Sequence, residues 1–252
     1  MRYAATTQLE VERPQTLPRP VPGGSTLNAE AALLNIGKLR IRFLDGIEAS
    51  ERNLILASAS HRKFSATAAV TNQGDPADRM FLLVKGSARH FFITPEGKRV
   101  YLQWLVAGEV FGAMALLPKF SLFLVSTEVA KDTRVLVWQR DRIRALAERY
   151  PRLLDNGLTI ASDYLSWYVA SHLSLICDDA RRRLAHVLIS LSSGLGQPCA
   201  DGVLLEITNE QLANTANITV FTVSRLVNEW QRKGVLSKKR GSILLRSMAK
   251  LV

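Results

Sequence analysis

At 252 residues the chain exceeds one domain of ordinary size, and two domains that each bury a core are expected. Apolar residues make up 47% and charged residues 22%, and no run approaches the roughly 18 uninterrupted apolar residues of a membrane span, so no membrane partner is expected. The formal net charge of +11 points toward an acidic polymer such as nucleic acid without selecting one.

Residues 1–25 contain Pro14, Pro18, Pro20 and Pro22 followed by Gly23 and Gly24, a composition that disfavours helix and ladder pairing alike. It predicts a flexible arm. The arm lacks the apolar core of a secretory signal and carries acidic residues unsuited to a transit peptide, so a cytoplasmic protein is expected. A short helical region follows, with Leu33, Leu34, Leu39 and Ile41 in its first part and an amphipathic turn over residues 49–60. From about Arg62 to Gln139, β-branched and aromatic runs alternate with Gly, Pro and Asp. Gly74, Gly86, Gly97 and Gly108 recur 11 or 12 residues apart, the spacing of strands joined by tight turns, and Pro95-Glu96-Gly97 is such a turn. The fold class is read as α+β, with an antiparallel β-roll of jelly-roll type over residues 26–140, a helical region over 141–177 and an α-rich domain over 178–252.

Within 141–177, Asp141 to Glu148 reads as a short helix, and Pro151 as the first residue of a long one reaching about Ile176. Its positions Leu154, Leu158, Ala161, Leu165, Tyr168, His172 and Leu175 advance by four and three alternately, an a/d seam. A helix packed on its own domain keeps closer to a 3.6-residue period with a wider stripe. The seam therefore predicts a homodimer joined by a coiled coil.

The last region opens with a helix over DDARRRLAHVLISLSS, then a Gly/Pro loop, a strand VLLEI, two short helices and a basic hairpin. Thr208 with Gln211 three residues on is a capping box, Ala213 is small where two helices cross, and Asn217 suits a left-handed turn. Thr219 caps the second helix. Val223, Leu226 or Val227, and Trp230 face the core at helical spacing, which turns Val220, Phe221, Ser224, Arg225 and Asn228 outward. That face suits a major groove, where arginine pairs with a guanine edge and an apolar side chain meets a thymine methyl. Lys238, Lys239 and Arg240 lie at the tip of the hairpin, placed to meet phosphates. With Thr208 and Thr222 at the two helix starts, these are the candidate residues for double-stranded DNA. The cap, the small crossing residue, the turn and the hairpin occur in order, which two arbitrary helices would not produce.

The remaining candidates are sparse. Cys177 and Cys199 form no metal or redox motif, and Cys177, at the handover between the long helix and the last domain, reads as a small apolar residue. Arg181, Arg182 and Arg183 read as a solvated face, a phosphate contact or a hinge ion pair. His61 and His90 are read as surface residues, His186 as structural within its helix, and His172 as a polar seam residue that fixes register. No His-x-His cluster supports a metal-dependent β-barrel enzyme, so no catalytic or metal site is expected.

The phrases DPADRMFLLVKGSARHFF, VAGEVFG, DDARRRLAHVLI and TVFTVSRLV, in that order, resemble the CRP/FNR superfamily of bacterial transcription regulators over residues 30–250 or so. The resemblance implies a sensor domain on the β-roll, a dimer helix, a winged helix-turn-helix and RNA polymerase as a further partner. It implies an effector pocket around Phe111, Gly112, Ala113, Met114, Leu124, Val125, Trp167 and Tyr168. Members that bind cyclic AMP carry a glutamate where Ala113 stands and an Arg-Ser pair that holds the phosphate, whereas SLFLVSTEV has no arginine. A phosphate buried without a cation is costly, so cyclic AMP is not expected as effector. Two cysteines exclude an iron–sulfur cluster held by four. A haem-based gas sensor stays open as an alternative, with Trp104, Phe111, Met114, Phe120, Phe123, Trp167 and Tyr168 as apolar lining near His172. Phe221 stands where many relatives have a base-reading glutamate, which implies an operator unlike the familiar one.

Overall fold

The structure, a computed structural model, describes Ile36, residues 39–130 and residues 132–251. The expected arm and the first leucines, Leu33 and Leu34, lie outside the described residues. A 3-10 turn, Arg42–Leu44, and helix α1, Ala49–Ala57, precede eight strands: β1 Ser60–Phe64, β2 Ala69–Thr71, β3 Arg79–Lys85, β4 Ser87–Ile93, β5 Arg99–Val106, β6 Val110–Phe111, β7 Ser126–Val129 and β8 Thr133–Gln139. All pair antiparallel, in two four-stranded sheets of order β1-β8-β3-β6 and β2-β7-β4-β5.

Strand β8 shows why this segment is extended. It pairs with β1 on one side and β3 on the other, and Val135, Leu136, Val137 and Trp138 are all buried. Its β-branched and aromatic residues alternate between two cores. Val135 and Val137 join Phe81, Leu83, Leu105 and Phe111 between the sheets, where the Phe81 and Phe111 rings stack 4.7 Å apart. Leu136 and Trp138 join the core under the helices, and the Trp138 indole donates to the carbonyl of Ile55 at 3.0 Å, fixing α1 to the roll. Burying a side chain of that size contributes roughly 2–3 kcal/mol.

Helix α2, Arg140–Arg149, follows β8 directly, and helix α3, Arg152–Cys177, runs 26 residues from it. Pro151 is the cap of α3 rather than its first helical residue, one position off the sequence expectation. Two stripes run along α3. Leu153 is buried, and Gly157, Ile160, Tyr164 and Trp167 are half-buried, along the face turned to the chain's own roll. Leu154, Leu158, Ala161, Leu165, Tyr168, His172 and Leu175 are all exposed, Leu158 at 73%. No helix among the described residues is long and apolar enough to cross a membrane.

The C-terminal part comprises α4 Ala180–Gly194, strands β9 Gln197–Cys199 and β10 Gly202–Leu205, helices α5 Asn209–Ala216 and α6 Val220–Arg232, and strands β11 Leu236–Lys239 and β12 Ser242–Leu245. Asp179 caps α4 by accepting from the backbone of Arg182. The Gly/Pro stretch expected as a loop contains β9, which pairs with β10, so the third sheet has the order β11-β12-β10-β9. Leu184, Leu188, Leu212, Val223, Val227 and Trp230 fill a separate core beneath it.

Candidate nucleic-acid interface

The α5 helix begins at a closed capping box. Thr208 Oγ1 accepts from the backbone of Gln211 at 3.2 Å, and Gln211 Oε1 accepts from the backbone of Thr208 at 2.9 Å. It ends at Asn217, whose φ of 50° and ψ of 52° are left-handed, a conformation asparagine adopts more readily than most residues. Thr219 caps α6 by accepting from the backbone of Thr222 at 3.1 Å. These three local devices fix the angle between the two helices, and the small buried Ala213 lets them approach.

Helix α6 is strongly two-faced. Val223, Leu226, Val227 and Trp230 are buried, while Val220, Phe221, Arg225 and Asn228 are exposed and Ser224 half-buried. Phe221 is 79% exposed, which is unfavourable for an aromatic ring in water and points to an occupant for this surface. The Thr222 hydroxyl is 2.9 Å from that of Thr219 and closes the turn rather than projecting from it. Arg181, from the first turn of α4, pairs with Glu229 on α6, whose second partner is Lys233 at 2.9 Å. Those hydrogen bonds, from Lys233 first and Arg181 next, hold the Glu229 carboxyl down at about 2. Of the three adjacent arginines, Arg181 thus serves as an ion pair at the joint. Lys239 and Arg240 are exposed at the end of β11 and at the hairpin turn, and Lys238 is half-buried, its backbone donating to Gln231 at 3.2 Å.

Residues 61–150 match the family model of the cyclic nucleotide-binding domain, and residues 182–252 match that of the Crp-like helix-turn-helix domain. The chain belongs to the CRP/FNR superfamily. It is 25% identical over 223 residues to the anaerobic regulatory protein of Bacillus subtilis, covering 84% of this chain and 90% of that one. It is 28% identical over 207 residues to the cyclic AMP receptor protein of Thermus thermophilus, covering 82% of this chain and 93% of that one. The solved structure of FixK2 from Bradyrhizobium japonicum superposes with a TM-score of 0.68 at 20% identity, over 77% of this chain and 95% of that one, and shows the shared fold. CRP/FNR proteins are DNA-binding transcription regulators rather than enzymes.

The eight residues expected to line a pocket fall in three short stretches, 111–114, 124–125 and 167–168, and the Gly112 turn lies against the ring of Phe123, the neighbour of Leu124. Phe111 is buried in the roll core against Phe81, Leu124 is 69% exposed, Ala113 is exposed in a 3-10 turn, and Met114 is packed against the roll core. Val125 is half-buried beside them. Gly112 has a φ of 75°, and a Cβ there would lie 2.7 Å from the carbonyl oxygen of Arg79, so this turn requires glycine. Trp167 and Tyr168 contact each other edge-on at 5.0 Å on α3. The aromatics proposed for haem disperse: Phe123 fills the roll core, Phe120 is exposed near Arg140, and Trp104 packs on the C-terminal core. Among the described residues no group of three or more His, Cys, Asp or Glu side chains is placed to hold a metal. Cys177 and Cys199 are both exposed, so the apolar role expected of Cys177 is corrected.

One histidine expectation also changes. His90 is not at the surface but 9% exposed inside the roll, its Nδ1 3.0 Å from the hydroxyl of Thr127, which accepts from Thr71 at 2.9 Å. Burial lowers its pKa to about 4, so the imidazole is neutral at pH 7. His186 lies within α4 as expected, exposed and 3.4 Å from Asp178. His61 is exposed as expected, and His172 is exposed on the outer row of α3. Sequence reasoning missed Tyr164, which sits beside Gln103, Glu109 and Arg42 between α3 and the roll, its hydroxyl pushed up by desolvation. The sequence signal was available, since Tyr164 lies on the second stripe of α3.

Proposed function

We propose that the protein is a homodimeric, cytoplasmic transcription regulator that reads a roughly palindromic DNA site through Val220, Phe221, Ser224, Arg225 and Asn228 of α6. The observation that carries this reading is the outward face of α6, apolar and singly cationic, on a helix whose other face is locked into a core. Thr208, Thr219 and Thr222 set the helix ends, and Lys238, Lys239 and Arg240 meet phosphates from the wing. The exposed seam of α3 supports pairing of two chains, and two reading helices then meet half-sites about 34 Å apart. The chain divides accordingly into the roll to residue 140, the dimer region to 177 and the DNA-binding domain beyond. RNA polymerase is the further partner that family membership implies.

The effector is a molecule other than cyclic AMP. Ala113 offers no carboxylate to a ribose, and the segment 121–129 offers no guanidinium to a phosphate.

A binding-site selection tests the central claim. Wild-type protein should enrich one palindromic motif. Arg225→Ala should lose preference at one position of each half-site, at a cost of about 1–3 kcal/mol on the selected site and much less on random DNA. Phe221→Glu should change which base is preferred more than overall affinity. Recovery of no motif, or an unchanged motif from Arg225→Ala, would overturn the reading.

A further inference from the structure

Strand β5 has a different neighbour on each face. Leu105 packs inside the roll with Ala88 and Phe111, and Gln103 lies beside the Tyr164 hydroxyl of α3. Trp104, between them, faces the other way and packs against the C-terminal core. Gly194 at the end of α4 also lies against β5, a methyl of Val106 standing 3.5 Å from where its Cβ would be. Gln211, the capping residue of α5, lines the cleft beside Trp104 with Leu195. The start of the helix-turn-helix therefore rests on the outer sheet of the roll.

The indole is braced from its own side. The Arg89 guanidinium lies 5.6 Å from the centre of the Trp104 ring and 4.2 Å from that of Tyr101. It is held at 2.6 Å by Glu128, a buried carboxylate that also takes Arg99 at 3.0 Å and the Tyr101 hydroxyl at 3.2 Å. Arg89 and Glu128 are the chain neighbours of His90 and Thr127, which bond each other inside the roll. A strand turns successive residues to opposite faces, so any shift of β4 or β7 felt at His90 and Thr127 is delivered to the brace one residue away.

We propose that Trp104 is a latch seating the helix-turn-helix domain on the outer face of the roll, and that the latched form is the one that reads DNA. In that form Val220, Phe221, Arg225 and Asn228 remain uncovered, so seating does not mask the reading face. Two reading helices must also stand at a fixed spacing, and a domain swinging freely at Asp178 would rarely present them so. The second half of the proposal rests on the DNA-reading function proposed above.

The chain carries its own probes. Cys177 ends α3 and Cys199 lies on β9, both exposed, one on each side of the joint. Nitroxide-labelled protein, diluted with excess unlabelled chain so that distances within one chain dominate, should give one narrow distance distribution by pulsed electron resonance. Trp104→Ala should broaden it, and Trp104→Phe, which keeps a ring against Arg89, should leave it narrow. Gly194→Phe, at an exposed helix end, should broaden it from the other side without touching either core. DNA affinity of Trp104→Ala should fall roughly tenfold, as it does when one molecule in ten is competent. A narrow distribution persisting in both Trp104→Ala and Gly194→Phe overturns the latch, whatever the protein does on DNA. Broadened distances with unchanged affinity overturn the assignment of the latched form as the reading form. Wild-type protein that selects no motif overturns the DNA reading alone, because the distance measurement still decides the latch.

Discussion

Arg181, in the first turn of α4, is paired with Glu229 of the recognition helix, and its guanidinium lies 5.4 Å from the centre of the Trp230 ring. One side chain thus ties the helix that follows the interdomain joint to α6, the helix proposed to read DNA. Glu229 is held at about 2 in the folded protein against an ordinary value of 4.5, so its contribution to stability is complete above 4.5 and is lost as the pH falls toward 2. Glu229→Gln should melt at lower temperature than wild type at pH 7, and thermal melts of the two should converge between pH 4.5 and pH 2.

His90 also loses stability as the pH falls, but through burial of its imidazole rather than through an ion pair. Its imidazole takes a proton near pH 6.5 when unfolded but only near pH 4 when folded. Stability should be level above pH 6.5 and should fall by on the order of 3 kcal/mol as the pH drops to 4. Urea unfolding across that range checks it, and His90→Gln should remove most of the slope while keeping a hydrogen-bond partner for Thr127.

The exposed stripe on α3 carries a prediction about assembly. Leu158→Glu or Leu165→Glu should convert a dimer to a species near 28.0 kDa in sedimentation at micromolar concentration, with little change in the melting of the fold. A wild-type chain that sediments as a monomer without DNA contradicts the seam.

The wing and the reading helix should separate by salt. Lys239→Ala or Arg240→Ala should weaken binding to cognate and random DNA alike and reduce the slope of log affinity against log salt by about 1 for each phosphate left without its cation. Titrations at several salt concentrations distinguish this from a loss of specificity.

Removing the cap of α5 tests the geometry of the reading unit. Thr208→Ala should destabilise the C-terminal domain by about 1 kcal/mol, and Thr208→Ser should restore most of it. Denaturant unfolding measures both.

What was legible in the sequence was local or periodic. The capping box of Thr208 and Gln211, the left-handed Asn217 and the cap Thr219 depend on residues within four positions, and each stands as expected. The same holds for the roll, where turns punctuate strands at regular spacing, and for the exposed stripe of α3. What depended on pairing between distant strands was not legible. His90 reads as polar in a polar stretch, and its burial follows only once β4 pairs with β7 and brings Thr127 beside it. Trp104 reads as one more core aromatic, and its place on the C-terminal core follows from which face of β5 lies outward. Around the expected effector pocket, a motif gives the order of residues, whereas the sheets decide that Phe111 is enclosed and Leu124 exposed.

The two stripes of α3 have a mechanical consequence. Leu153 and Leu154, the first members of the inner and outer stripes, are one residue apart and so point roughly 100° away from each other around the axis. A roll of the helix about that axis, set off by rearrangement around Tyr164, cannot improve the inner contacts without turning the outer row by the same angle. If two chains pair along the outer row as proposed, α3 would act as a shaft with cams on both sides, and torque applied in one roll would turn the row presented to the opposite chain.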